Sequence, residues 1–325
     1  MRADAGRFAP SPSGDLHLGN LRTALIAWLS ARSAGLEFIV RMEDLDRVTS
    51  SVAHEAAQLR QLAAIGIDWD GAVVRQSERF TRYDEAIAQL AAAGCTYECF
   101  CTRREIREAA AAPNGQPAGS WSRQSGREGN VLIADGAYPG TCRGLSDADR
   151  QQLRAVGREP AIRLRADGVV VSVEDLGFGT VRGAVDDVVL RRNDGVPAYN
   201  LAVVVDDAAQ GVGEVVRGDD LLASTPRQVR LQQLLGVPTP RYRHVPLVLG
   251  ADGVRLAKRH GAVTLADLAA RGIDADNVRS MMAASIDLTE PGEPVTMIDL
   301  LARFDPNLIR REPWILPIDL QRSEL

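Results

Sequence analysis

The chain has 325 residues with 45% hydrophobic content, enough for a proper core in one large domain carrying an insertion or in two modest domains. A formal net charge of −5 argues against a protein that coats nucleic acid non-specifically, although local clusters such as Arg103, Arg104 and Arg107 could still meet a phosphate backbone. The opening Met1-Arg2-Ala3-Asp4-Ala5-Gly6 has no apolar h-region and no apolar run approaches membrane-spanning length, so the chain reads as cytoplasmic, with no membrane partner expected.

In chain order, Arg7-Phe8-Ala9 reads as a short strand and Pro10 to Gly14 as a turn. A helix follows from Leu18 to Ala31, with Leu18, Leu21, Leu25, Trp28 and Leu29 at helical spacing. Glu37 to Met42 reads as a second strand, ending in the acidic Glu43-Asp44-Leu45-Asp46. The result is a βαβ unit, which requires a parallel sheet and places ligands beyond the carboxyl ends of the strands. Helices are predicted over Val52 to Ile65 and Arg79 to Ala93. Ala109 to Gly129, rich in Ala, Gly, Ser and Pro, reads as a mobile excursion. Ala161 to Arg192 alternates β-branched runs with Gly and Asp turns, which predicts an antiparallel inserted piece. Parallel-sheet character returns with a predicted strand at Leu201-Ala202-Val203-Val204-Val205. A helix over Pro226 to Leu235 and a strand near Val245 to Leu249 come next, then amphipathic helices at Leu265 to Arg271, Asp276 to Ile286 and Thr296 to Phe304.

Lys258 is the only lysine; the other thirty-seven cationic positions are arginine. A compact ammonium suits end-on contact with a single phosphate oxygen, so the Arg255-Leu256-Ala257-Lys258-Arg259 loop is a candidate phosphate binder, against the alternative that one lysine survived by chance. His17-Leu18-Gly19-Asn20 opens the first helix. Unpaired N–H groups and the positive dipole end attract anions there, a histidine adds a donor, and Gly19 lets a flat ring approach the backbone, so ATP would fit; an ordinary helix start with a surface histidine is the plainer alternative. No G-x-x-x-x-G-K-[S/T] exists and no G-x-G-x-x-G follows the first strand, which excludes a Walker loop and a plain dinucleotide site.

Of the four cysteines, three fall between Cys95 and Cys101, a spacing that suits a reduced compartment better than a disulfide framework. Cys99 and Cys101 with Cys142, joined by Tyr138 or a water, could complete a tetrahedral zinc site; buried reduced thiols are the alternative, and Cys95 reads as a core thiol.

Arg7-Phe8-Ala9-Pro10-Ser11-Pro12-Ser13-Gly14-Asp15-Leu16-His17-Leu18-Gly19-Asn20 closely resembles the opening of the glutamyl-type class I aminoacyl-tRNA synthetases, and the Lys258 loop resembles their late lysine motif. The likeness covers most of residues 7–260, with Asn20 in place of a second histidine and Arg255 and Ala257 in place of a lysine and a serine. It implies an α/β fold: a Rossmann-like parallel sheet with an inserted zinc-bearing subdomain and a short helical C-terminal region. The expected boundaries are 1–98 and 193–250 for the catalytic halves, 99–192 for the insertion and 251–325 for the lysine loop and helical end. By the same resemblance Arg7, Arg217 and Tyr199 would bind glutamate carboxylates, within a substrate pocket that includes Phe8, Ala9, Pro10 and Ser11, and Glu43 would take the α-ammonium. His17, Gly19, Asn20 and Lys258 would bind ATP with Mg²⁺, with His17, Asn20 and Lys258 as the catalytic set.

One subgroup, the glutamyl-queuosine tRNA(Asp) synthetases, is similar in its C-x-C and Y-x-x-x-C spacing, which would make Cys99, Cys101, Tyr138 and Cys142 the ligands of one structural Zn²⁺. Val203, where enzymes charging glutamate tRNA place asparagine, Gly218-Asp219-Asp220-Leu221-Leu222, and the short stretch after Lys258 point the same way. The implied activity is tRNA-independent activation of glutamate, then transfer to the queuosine of tRNA(Asp), by a protein expected to be monomeric. A shortened synthetase charging tRNA(Glu), or a non-catalytic glutamate- or tRNA-binding paralogue, are the competing readings.

Overall fold

A computed structural model describes residues 5–102, 104–106, 131–133, 137–254, 263–317 and 320. The 109–129 excursion and the loop with Lys258 lie outside the described residues. The described elements are β1 (Ala5–Phe8), α1 (Leu18–Ser33), β2 (Glu37–Met42), α2 (Val52–Ala64), β3 (Val74–Arg75), α3 (Phe80–Ala92), β4 (Thr96–Cys99), β5 (Val131–Ile133), α4 (Asp147–Ala155), β6 (Ala161–Leu164), β7 (Val170–Asp175), β8 (Gly179–Ala184), β9 (Val189–Arg191), α5 (Tyr199–Ala209), β10 (Val212–Gly218), α6 (Thr225–Leu235), β11 (Arg241–Val245), β12 (Val248–Leu249), α7 (Leu265–Ala269), α8 (Ala275–Ala284), α9 (Met297–Arg303) and β13 (Trp314–Ile315).

The expected βαβ unit is present, with Arg7 opposite Ile39 and Phe8 opposite Val40 in parallel register. The main sheet runs β3-β2-β1-β10-β11-β7-β8-β5 and is parallel from β3 through β11 to β7. Side-chain alternation along the strands feeds two cores, one on each face. Phe38, Val40 and Met42 of β2 join Leu21, Leu25 and Leu29 of α1, and the C-terminal helices close this core with Val278, Met282 and Leu300. The opposite face gathers Leu90 of α3, Leu201 and Val204 of α5, Val215 of β10 and Leu231 of α6. Each such fully buried side chain contributes roughly 1.5–3 kcal/mol of transfer free energy.

Three expectations need correction. Leu201 to Val205 is not a strand but the middle of α5, in which Leu201, Ala202, Val203 and Val204 are all buried. A short apolar run fits a buried helix as well as a buried strand, and packing between α3, α6 and the sheet overrides the β-propensity of valine here. The parallel strand of this region is instead β10, Val212-Gly213-Glu214-Val215-Val216-Arg217-Gly218, whose interior carboxylate obscures it in the sequence; Glu214 is buried against Arg241, 2.9 Å away, on β11. The antiparallel character of 161–192 is observed, but in two pieces. β6 pairs with β4 and β9 in a separate three-stranded sheet, whereas the β7–β8 hairpin docks on the main sheet through Tyr242 and Asp175. The strand expected near Val245 to Leu249 is divided into the end of β11 and the short β12.

Among the described residues no helix is long and apolar enough to cross a membrane.

Candidate active site

Strand order reverses between β1 and β10: the chain leaves β1 toward β2 on one side and leaves β10 toward β11 on the other. A crevice must open beyond the carboxyl ends of two such strands, and ligands of open α/β sheets bind there. A cleft of about 920 Å³, counted to its open mouth, lies at that point. Arg7 and Phe8 reach it from the end of β1, Ala9, Pro10 and Ser11 from the following turn, and Arg217 from the end of β10. Glu43 enters beyond β2, Tyr199 from the start of α5, and His17, Gly19 and Asn20 from the start of α1. Every described residue predicted for glutamate or ATP lines this one cleft.

Both arginines are buried at 5% exposure, so each needs internal partners to be held there. Arg7 donates from Nη1 to the carbonyl of Val216, 3.1 Å away, and its Nε lies 3.5 Å from Asp207. Behind it Arg41, fully buried, donates to Asp207 at 2.8 Å and to Glu43 at 3.4 Å. Burial pushes the Glu43 carboxyl above its ordinary range, while Arg41 and Arg7 pull the other way. A carboxylate held in that balance is better stabilised when a ligand ammonium arrives. The Glu43 backbone N–H donates to Pro10 O at 2.9 Å and ties the β2 end to the β1 turn.

Arg217 is fixed by three neutral groups. Its Nε donates to Nε2 of His244 at 3.0 Å, Nη1 to Gln228 at 2.7 Å and Nη2 to Thr225 at 2.8 Å. Two of its five N–H groups are then left for a ligand, one on each Nη, and no carboxylate of the described residues pairs with it. That arrangement leaves a positive charge uncompensated until an anion binds.

At the start of α1, His17 is the N-cap: its Nδ1 accepts from the Asn20 N–H at 3.2 Å, so its remaining proton sits on Nε2. The Leu18 N–H donates to Val263 O at 2.8 Å. Of the first three helix amides, Gly19 is thus the one left to face a phosphate among the described residues, a narrower anion site than an open helix terminus. A Cβ on Gly19 would come within 3.0 Å of the His17 ring, so glycine here keeps the histidine in place. Lys258 lies outside the described residues, but its loop is flanked by Val263, bonded to Leu18, and by β12, whose Val248 lines the cleft.

A second cluster sits at the end of β4. The Sγ atoms of Cys99, Cys101 and Cys142 all lie within 4.8 Å of one another, with Cys101 and Cys142 3.4 Å apart. The Tyr138 hydroxyl is 3.4 Å from both Cys99 and Cys101 and accepts from the Cys142 N–H at 2.9 Å. Tetrahedral zinc at about 2.3 Å from each sulfur separates the sulfurs by about 3.8 Å, so the donor set fits. Cys95 is apart from it, half-buried beside the second core.

Sequence reasoning did not single out Thr23, Leu247 and Val248, which also line the cleft. Thr23 was recoverable, because it lies one helical turn after Asn20 on the same face of α1. His244 and Asp175 carry no local motif. Only the fold brings them behind Arg217.

Residues 5–289 match the family profile described as tRNA synthetases class I (E and Q), catalytic domain. A glutamyl-Q tRNA(Asp) synthetase of Nocardia farcinica is 59% identical over 98% of this chain and 96% of its own. That of Cutibacterium acnes is 49% identical over 94% of this chain and 82% of its own. Among solved structures, a glutamate tRNA ligase from Elizabethkingia meningosepticum, in complex with its amino acid, superimposes with a TM-score of 0.80 at 26% identity, covering 98% of this chain and 68% of that one.

Proposed function

The chain belongs to the class I tRNA synthetases of the E and Q type, and from that premise we propose that it activates L-glutamate with ATP without tRNA and then transfers the glutamyl group to the queuosine of tRNA(Asp). The observation that carries the first half is the charge pattern of the cleft. Two buried arginines, Arg7 and Arg217, line the cleft together with Glu43 at the end of β2 and Asp220 beyond the end of β10. Glutamate would bring two carboxylates to the arginines and one ammonium to Glu43, and a guanidinium pairs with a carboxylate bidentately. Tyr199, 37% exposed at the mouth, and Ser11 would close around it.

Adenylate formation needs no protein nucleophile. The substrate α-carboxylate, already ionised, attacks the α-phosphorus of ATP; the new O–P bond forms as the bond to the bridging oxygen breaks and pyrophosphate leaves. Positioning and charge neutralisation are what the protein supplies. The Nε2–H of His17, the Gly19 amide and the positive end of α1 would bear on the phosphates with Asn20, and Lys258 on the departing pyrophosphate, with Mg²⁺ entering with ATP. Cys99, Cys101, Tyr138 and Cys142 would hold one Zn²⁺, which would brace the insertion and take no part in the reaction.

The acceptor rests on similarity to relatives named for tRNA(Asp), which run nearly the full length of this chain and are themselves spanned by it almost completely. The likeness to a glutamate tRNA ligase supports the competing reading, a short enzyme that charges tRNA(Glu). Glutamate-dependent ATP–pyrophosphate exchange separates the two. Exchange in the absence of tRNA is expected; exchange that requires tRNA would favour tRNA(Glu), and none at all a binding protein. Labelled glutamate should then enter queuosine-containing tRNA(Asp) and not its unmodified counterpart; equal transfer to both would overturn the acceptor assignment.

A further inference from the structure

Behind Arg217 lies a chain of hydrogen bonds that runs away from the cleft and ends in a buried carboxylate. His244, 1% exposed, places Nε2 at 3.0 Å from Nε of Arg217 and Nδ1 at 2.6 Å from Oδ2 of Asp175, itself 4% exposed. A guanidinium nitrogen can only donate, so Nε2 of His244 must be an acceptor and the ring proton must sit on Nδ1. Asp175 selects that tautomer by accepting a hydrogen bond from Nδ1–H. Its other oxygen, Oδ1, accepts the backbone N–H groups of Gly177 and Phe178, both at 2.9 Å, so the carboxylate cannot turn away.

We propose that Asp175 and His244 are positioning residues for substrate binding: by holding the imidazole as the neutral Nδ1–H tautomer they aim the Arg217 guanidinium at a carboxylate of the amino acid. The inference rests on the reading of Arg217 as a glutamate-binding group. Three features of the surroundings support it. Burial, reinforced by the neighbouring guanidinium against the pull of Asp175, presses His244 down to about 4, so the ring stays neutral and does not compete with Arg217 for an anion. Burial opposes ionisation of Asp175, yet the His244 ring and the two backbone donors hold it below the usual carboxylate range, so its charge persists beside the neutral ring. Gln228 and Thr225 complete the seat with acceptors that carry no charge, so the relay fixes the direction of Arg217 without cancelling its cation inside the cleft.

Asp175→Asn tests this with almost no change in shape. The two backbone N–H groups at Oδ1 demand the amide oxygen there, which puts the amide NH₂ against Nδ1 of His244. The ring must then carry its proton on Nε2 and turn a donor toward the donor on Arg217. We expect the KM for glutamate in ATP–pyrophosphate exchange to rise roughly ten- to hundredfold, the loss of one hydrogen bond to a charged group, with the KM for ATP within about twofold of wild type. Long-range ¹⁵N–¹H correlation spectra of the imidazoles should report the Nδ1–H tautomer for His244 in the wild type and Nε2–H in the variant.

A wild-type ring found as Nε2–H or as imidazolium overturns the proposal, as does a switched tautomer with an unchanged glutamate KM. If Asp175→Asn does not fold, His244→Gln and His244→Leu decide the question. Glutamine returns a carbonyl acceptor toward Arg217 and should keep the KM well below that of the leucine variant; equal values overturn the relay. A wild-type protein without glutamate-dependent exchange would instead overturn the activity reading, and the tautomer measurement would still decide the relay.

Discussion

Two kinds of cation have proposed roles in glutamate activation, and their chemistry predicts different losses. Arg217 is a planar fork held on three sides, whereas Lys258 is the chain's one flexible point charge. A charge that acts on the leaving pyrophosphate stabilises the transition state more than the bound amino acid. Lys258→Ala should therefore lower the rate of adenylate formation about 10²- to 10³-fold in single-turnover assays, while glutamate affinity by calorimetry stays nearly constant. A large loss of glutamate affinity would assign Lys258 to the wrong substrate. At this scale the sequence was most informative where neighbours in the chain are also neighbours in the cleft. Arg7 to Ser11 occupy one strand end and His17, Gly19 and Asn20 one helix start, and all of these are in the cleft wall. Asp175, His244 and Arg217 come from three strands, so nothing in the order of residues links them.

The β7–β8 turn shows how an element serves the site without touching substrate. Gly177 packs so closely on β11 that a Cβ there would lie 2.4 Å from the backbone oxygen of His244. A backbone atom cannot rotate aside as a side chain can, so the strand itself would have to move. Gly177→Ala should destabilise the protein by about 1–3 kcal/mol in urea unfolding and raise the glutamate KM at the same time, because β11 carries the group that orients Arg217. A stability loss with no KM change would separate the turn from the site. The same strand-level view explains why α5 has the sequence of a strand. Its valines satisfy a strand pattern, and only the presence of β10 beside β1 leaves that run no place in the sheet. In the other small sheet, β4 delivers Cys99 and the loop after it Cys101, toward Tyr138 and Cys142. Purified protein should carry one zinc per chain by metal analysis and Cys142→Ser close to none; equal content would remove these residues as ligands.

For the molecule as a whole, the neutral buried His244 makes one contribution to how stability depends on acid. Its folded pKa is depressed from 6.5 to about 4, so the unfolded chain binds a proton that the folded one refuses between those values. Stability from this group is fully present above pH 6.5 and is lost as pH falls toward 4, by about 3 kcal/mol at most. Urea unfolding at pH 7.5 and 4.5 should show that loss in the wild type and a flatter dependence in His244→Gln; identical slopes would mean that the ring is not the group responsible. The sheet order bears on the birth of the protein as well. One of the two neighbours of β1, β10, pairs Val212 with Ala5 and is translated some two hundred residues after it. At about 5–20 residues per second the nascent chain carries β1 with one open edge for roughly 10–40 s. During that interval Arg7 has no Val216 carbonyl to hold it, and the second arginine of the cleft does not yet exist. Until β10 is made, the ribosome displays an unpaired strand edge, and the hazard of that interval is aggregation rather than premature chemistry.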